Sequence, residues 1–277
     1  MREGYLEAQA RAIGQETPDR FTRKWLQLRI GAFHRERAFD QAVTPELIRS
    51  IDVAHCPVLR IALTHGEMKD SDWSVDRINN DGAYALHNLA VISSRANTAK
   101  GKRSFGEVFE LAQGDDTVDG LTPREWMRLA NVMLGPCFIE TPGLMPILPL
   151  TAPIPLHTAR FAAQVIQQLI TLTAKRPSGK NLLIKHFKRA CASEASQMRL
   201  VRMIEAVHVG LKGLDYPWDV WLSEAVMKAF LDWHDGLDAK GRAQTAAIAL
   251  NQSPVNIVNT GSTLHTWNLG AGGYSTF

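Results

Sequence analysis

The residues best suited to chemistry lie between positions 74 and 102, in the run SVDRINNDGAYALHNLAVISSRANTAKGK. Among the oxygen donors of this run are the carboxylate of Asp76 and the side-chain amides of Asn88 and Asn97. Bases gather at and just beyond its end, namely Arg95, Lys100, Lys102 and Arg103. Such a mixture is typical either of a polar surface loop or of a site that holds a phosphate and a metal ion.

Local patterns distribute these residues over two strands and a helix. Residues 74–78 and 89–93 are rich in β-branched and apolar side chains, which favours strands. The intervening segment 79–88 has the Asn, Asp and Gly content of a loop. Ser93 or Ser94 can cap a helix that begins at about residue 94. The predicted order is strand, loop, strand, helix, a ββα unit.

That order, with its residues, resembles the HNH endonucleases, the ββα-metal nucleases. The signatures are SVDRI, a G-x-Y before the loop asparagine, and S-x-R-A-N-x-x-K, as in a divergent phage or mobile-element branch. The resemblance covers about residues 55–105. It implies that Asp76 and Asn97 ligate a metal and that Asn88 fixes the geometry of the loop.

The resemblance implies a DNA endonuclease or nickase. Phosphodiester hydrolysis needs a Lewis acid, a nucleophilic water and a group that accepts its proton. Oxygen ligands alone favour a hard divalent cation, Mg²⁺ first and Mn²⁺ as the alternative. Lys100 lies three residues after Asn97, hence on the same helix face, where its ammonium would hold a flanking phosphate. We expect Arg95, Lys102, Arg103 and the start of the helix to add positive charge.

Arg77 departs from the family pattern, in which the general base is a histidine directly after the first metal ligand. Arginine is not deprotonated in proteins, so Arg77 would instead stabilise negative charge on the transition state. The proton acceptor is then His65, His87 or a metal-bound hydroxide, with His55 more remote. A second interpretation is a DNA-binding or scaffold protein that kept the ββα fold and lost cleavage.

Helices are expected to flank this unit on its N-terminal side. Thr17 and Pro18 predict a helix over residues 18–38, and Thr44 and Pro45 predict a second one. The first carries many bases, which indicates either a solvated face or an arm that contacts phosphates: Arg20, Arg23, Lys24, Arg29, Arg35 and Arg37. The apolar run 58–63 predicts a further short strand or the first arm of a hairpin.

Helical periodicity dominates the rest of the chain. A helix over 104–113 is followed by the glycine-bounded segment 114–120, where we expect a domain boundary. Further helices are predicted over 121–134, 156–174, 180–211, 217–234 and 238–250, with a proline-rich connector at 136–155 and an irregular tail at 260–277. The predicted fold class is α+β: an N-terminal helical arm (1–54), an HNH-like ββα module (55–114) and a mainly α-helical C-terminal domain (121–277). The C-terminal domain would offer a surface for a protein partner or for a homo-oligomer.

The composition is that of an ordinary globular protein. The chain has 277 residues, 45% of them hydrophobic, and a formal net charge of +3, which permits nucleic-acid binding without requiring it. Three widely spaced cysteines predict buried reduced thiols rather than a zinc site or a disulfide framework. Neither a signal peptide nor a membrane span is expected, which indicates a cytoplasmic protein.

Overall fold

The computed structural model describes residues 17–155, 158, 161–252 and 266–267, and it has an α+β fold with a small antiparallel sheet. The elements in chain order are α1 (Arg20–His34), α2 (Pro45–Ser50), β1 (Trp73–Arg77), β2 (Leu89–Ser93), α3 (Ser94–Lys100), α4 (Phe105–Gln113), α5 (Pro123–Cys137), α6 (Ala162–Thr173), α7 (Pro177–Phe187), α8 (Glu194–Gly210), α9 (Glu224–Asp235) and α10 (Ala239–Asn251).

The two strands pair as predicted and lead directly into a helix. Trp73 lies opposite Ser93 and Arg77 opposite Leu89 in an antiparallel register. All five residues of β2 are buried, so this strand lies inside the core and is covered on both faces. Helix α3 starts without an intervening loop, because the Ser93 hydroxyl accepts a hydrogen bond from the Ala96 N–H.

Side-chain caps set the starts of the neighbouring helices. Asp19, rather than the expected Thr17, caps α1, and Thr44 caps α2 as predicted. Capping boxes begin α4 at Ser104 and α5 at Thr122, each with a glutamate three residues later. Helix α1 ends before the predicted residue 38, since Glu36 has a φ of 52° and leaves the helical conformation.

Two large hydrophobic cores lie along the described part of the chain, and a small third cluster joins Ala83, Ala85 and Ile139 to Trp267. The first extends from Ala32 to Leu148 and includes both strands and the first five helices. The second extends from Leu150 to Ala249 and is formed by the later helices, with Trp221, Phe230 and Trp233 in edge-to-face contact. The expected boundary at 114–120 stays a prediction, although apolar packing of α4 on α5 continues across it.

A charged cluster joins the two cores. Asp219, in a 3₁₀ turn of the second half, is 3.2 Å from the Arg128 guanidinium of α5. Arg60 and Arg124 also pair with this carboxylate, at 3.9 and 3.4 Å. The Arg60 guanidinium lies 3.8 Å from the centre of the Tyr216 ring. One carboxylate therefore pairs with three arginines where the two cores meet.

Some sequence expectations differ from the structure. The run 58–63 is not a strand, because Arg60 has a φ of 65° and its N–H bonds back to the Cys56 carbonyl, which turns the chain. The helix expected over 180–211 is interrupted between Phe187 and Ser193, where Ser193 begins α8 with its own cap. The helix expected over 217–234 opens with the 3₁₀ turn before α9. Most of the predicted irregular tail lies outside the described residues.

The structure also bears on the predictions about the cysteines and about membrane-spanning helices. Cys56, Cys137 and Cys191 are all buried and free, as predicted. Burial raises the pKa of the Cys137 thiol to about 12. Within the ranges that the structure describes, no helix has the length and apolarity needed to cross a membrane.

Candidate functional site

Helix α3 lies across one face of β1 and brings together the residues that the sequence singled out. Side chains alternate along a strand, so Ser74 and Asp76 point to the same face. The Asn97 amide donates from Nδ2 to Ser74 Oγ at 2.7 Å, and Lys100 Nζ is 3.0 Å from Asp76 Oδ2. One turn of α3 thus matches a two-residue step of β1, with Asn97 against Ser74 and Lys100 against Asp76.

The Lys100 ammonium is an internal cation of this site. It is 0% exposed and donates to the Arg77 carbonyl at 2.8 Å and to Asn80 Oδ1 at 3.0 Å, in addition to facing Asp76. Two hydrogen bonds and one ionic contact thus surround the ammonium group. The prediction that Lys100 holds a phosphate at the surface is therefore corrected: its charge is used inside the protein.

Asp76 is a buried carboxylate with incomplete hydrogen bonding. Its residue is 8% exposed, and burial raises the pKa of its carboxyl, while the Lys100 ammonium and the Arg77 guanidinium act in the opposite direction. Oδ2 is in ionic contact with Lys100 but makes no hydrogen bond of good geometry. A buried oxygen of this kind is costly unless a cation compensates it.

Arg77 follows Asp76 as expected, but its guanidinium turns towards the loop between the strands. Its Nη1 donates to the carbonyls of Asn80 and Gly82, both at 2.8 Å, and the group lies 5.1 Å from the centre of the Tyr84 ring. Both hydrogen bonds use one nitrogen of the guanidinium and tie Arg77 to the loop. The expected contact of Arg77 with a transition state stays a prediction.

Asn88 fixes the same loop, and its side chain is 0% exposed. Its Oδ1 accepts from the Asn79 N–H at 2.8 Å, and its Nδ2 donates to the Asn79 and Ala83 carbonyls at 3.0 Å. Gly82 is required beside it, because a Cβ there would lie 2.8 Å from Asn88 Nδ2. The geometry agrees with the loop-fixing role that the resemblance implied.

Trp267 is a part of the loop that the sequence did not reveal. The indole is fully buried and donates to the Leu86 carbonyl at 2.8 Å, while the Trp267 carbonyl accepts from the Ala83 N–H at 2.7 Å. A Cβ at Gly82 would also meet this ring, at 3.1 Å. A lone tryptophan in a glycine-rich segment was the available signal.

The two candidate bases lie at opposite ends of the hairpin. His65 is exposed, and its ring centre is 5.1 Å from that of Trp73, the first residue of β1. It lines a groove together with Ser74, which holds Asn97. His87 lies in the loop at a φ of 71°, half-buried and paired through its backbone with Thr158. Of the two, His65 is the histidine beside the Ser74–Asn97 contact.

The remaining predicted bases lie near the end of α3. Arg95 contacts the Gly120 carbonyl, and Arg103 pairs with Asp119. Lys102 is exposed and lines a second groove of about 420 Å³ with Arg103. Arg95 and Lys102 are therefore exposed, unlike Lys100, whereas Arg103 is half-buried and already paired.

The donor chemistry at Asp76 and Asn97 fits a hard divalent cation. Asp76 Oδ2 is a buried oxygen that accepts no hydrogen bond. Asn97 uses its Nδ2 for Ser74, and its Oδ1 accepts no hydrogen bond from any residue in the described part of the chain. Oxygen donors of this type suit Mg²⁺ or Mn²⁺. The Lys100 ammonium competes for Asp76, so such an ion would have to displace the ammonium or share the carboxylate with it.

Comparison with known proteins adds no relative to this picture. No protein-family model, no curated protein and no solved structure matches the chain. No group of three or more His, Cys, Asp or Glu side chains is placed to hold a metal within residues 17–155, 158, 161–252 and 266–267. A cation at Asp76 and Asn97 would accordingly depend on water and substrate oxygens for its other ligands.

Proposed function

We propose that the protein is a metal-dependent endonuclease or nickase that hydrolyses phosphodiester bonds of DNA, with β1, β2 and α3 forming an HNH-type ββα module. The observation that carries the proposal is the placement of α3 across β1, with Asn97 on Ser74 and Asp76 one step further along the strand. An exposed histidine, His65, stands beside that contact.

Each residue has a defined task in the proposed reaction. Asp76 and Asn97 would hold the divalent cation, which supplies Lewis-acid stabilisation of charge on the phosphate. His65 accepts the proton of the attacking water as a phosphorus–oxygen bond forms and the bond to the leaving oxygen breaks. Asn88 and Arg77 keep the loop fixed, so that Asp76 stays at the end of β1.

Lys100 compensates the Asp76 charge when no divalent cation is bound. Its ammonium is already in ionic contact with Asp76, so metal binding must exchange that favourable contact for another. This competition lowers the affinity of the site for the metal. The free energy of metal binding is only the difference between the metal-bound site and the site paired with Lys100. We therefore expect cleavage to require higher metal concentrations than a site of unpaired carboxylates would.

Nicking of a supercoiled plasmid with Mg²⁺ or Mn²⁺ tests the proposal. Asp76→Ala and Asn97→Ala should abolish metal-dependent nicking, while the exposed acid Asp115→Ala serves as the matched control and should retain it. Nicking that survives in both site variants at the wild-type rate would rule out the assignment.

The same assay identifies the proton acceptor. Loss of a general base typically lowers the rate by about 10²–10⁴-fold, so His65→Ala should reduce nicking on that scale. His87→Ala is the comparison. Because His87 lies at the other end of the hairpin, this substitution should lower the nicking rate far less. The reverse order of effects would move the role to His87.

A second candidate function is DNA binding without cleavage. The observation that favours it is the Lys100 ammonium in contact with Asp76, together with an arginine where the family has its histidine. DNA binding that persists while Mg²⁺ and Mn²⁺ both give no nicking would support this candidate. Arg77→His should then restore no activity, because the side chain at 77 turns towards the loop.

A further inference from the structure

A basic groove runs between α1 and the start of β1. It has a volume of about 350 Å³, and six of the residues that line it are Arg20, Arg23, Lys24, His65, Trp73 and Ser74. The bases come from one face of α1, since positions 20, 23 and 24 are three or four residues apart. Ser74 opens this groove towards Asn97, because the Ser74 hydroxyl accepts the hydrogen bond of the Asn97 amide.

The positive charge of the groove is only partly compensated. Arg20 pairs with Asp52 at 2.6 Å, whereas Arg23 and Lys24 show no ion pair with an acid among the described residues. Asp72 is the acid that lines the groove, but loop residues already occupy both of its oxygens, including the Thr64 hydroxyl at 2.6 Å. Two cationic side chains are thus available to an external anion.

Trp73 places the bases around one aromatic face. Lys24 Nζ lies 4.9 Å from the centre of its ring and donates to its carbonyl at 3.3 Å, and the Arg20 guanidinium lies 5.8 Å from the ring. Burial lowers the pKa of the Lys24 ammonium, and Asp72 only partly offsets this. An added anion beside Lys24 would relieve that cost, so the site is poised for negative charge.

We propose that this groove binds a backbone phosphate of the DNA strand, adjacent to the phosphate presented to Asp76 and Asn97. The substrate class rests on the proposed function, but the groove itself rests on the unpaired charges of Arg23 and Lys24. Binding here would lead the strand past His65 and Ser74 towards Asn97. Phosphate binding in the groove explains why α1 concentrates bases at positions that face β1.

The salt dependence of duplex DNA binding directly measures phosphate binding by Arg23 and Lys24. Removing one phosphate contact lowers the slope of log K against log salt concentration by about 0.9 for a duplex. The double variant Arg23→Gln/Lys24→Gln removes both bases that hold this one phosphate and should therefore lower the slope by about 0.9. The matched control is Arg202→Gln/Lys240→Gln, which removes the same charge from exposed positions of α8 and α10 and should leave the slope unchanged.

Three results would decide the matter. A reduced slope in the groove variant alone supports the site, provided its thermal unfolding matches wild type. Equal slopes in the groove and control variants overturn it, as does a wild-type protein that binds no duplex. Asp76→Ala in the same titration separates the two proposals: nicking retained with a groove-dependent slope would refute the endonuclease mechanism and leave the phosphate site standing.

Discussion

Replacing Lys100 by methionine should strongly destabilise the protein at neutral pH. Methionine keeps much of the side-chain length but removes the ammonium that faces Asp76. Removing one partner of a buried ion pair costs about 3–5 kcal/mol, because the other charge is left uncompensated. Asp76 is 8% exposed, so water can do little to replace Lys100.

The cost should depend on pH in a defined direction. In the variant the folded protein avoids the charge by protonating Asp76, which raises its folded pKa above the unfolded value of about 3.9. At pH 7 this protonation costs about 4 kcal/mol, and at pH 5 about 1.5 kcal/mol, since each pH unit is worth 1.36 kcal/mol. The folded state holds the extra proton, so stability falls as pH rises above about 4.

Urea unfolding in EDTA at pH 7 and pH 5 provides the measurement. Lys100→Met should lose up to about 4 kcal/mol at pH 7 and clearly less at pH 5, relative to wild type, in which burial already raises the Asp76 pKa. Asp76→Asn/Lys100→Met lacks the ionisable group and should lose this pH dependence. A loss below about 1 kcal/mol at pH 7, unchanged at pH 5, would refute the buried ion pair.

Three other substitutions should reduce the free energy of unfolding. Asn88→Ala leaves buried backbone groups of the loop unpaired and should cost about 3 kcal/mol. Trp267→Ala removes a fully buried indole from the same loop and should cost about 3–5 kcal/mol. Asp219→Asn withdraws the carboxylate from Arg128, which is only 4% exposed, and should cost about 3 kcal/mol. Urea unfolding measures all three.

Exposed residues of the same or a similar type provide the controls. Asn251→Ala, Phe33→Ala and Asp232→Asn change side chains at the surface, and each should alter stability by less than about 1 kcal/mol. Asn88→Ala that behaves like Asn251→Ala would show that the loop is not held by this amide. Equal effects of Asp219→Asn and Asp232→Asn would argue against the arginine cluster as a junction between the cores.

The local elements of the site were predictable because their signals are local. Serine caps and β-branched runs placed β2 at its observed bounds and started α3 at Ser94. Asn88 could be assigned to the loop for the same reason. The turn at 56–61 could not, since Arg60 adopts a positive φ that nothing in its neighbours requires.

The partners of the charged residues could not be read from the sequence. Lys100 shares a helix face with Asn97, as expected, but whether that face meets solvent or β1 depends on tertiary packing. Arg77 likewise turns towards carbonyls that only the folded loop presents. Trp267 reaches the loop from a position 181 residues beyond Leu86, a contact that no periodicity encodes.

The dependence of the nicking rate on Mn²⁺ concentration tests the central claim most directly, with wild type, Asp76→Ala and Asp115→Ala compared at excess protein over plasmid. The account predicts saturating Mn²⁺-dependent nicking for wild type and Asp115→Ala, and none for Asp76→Ala at any concentration. Superimposable curves for all three proteins would contradict it.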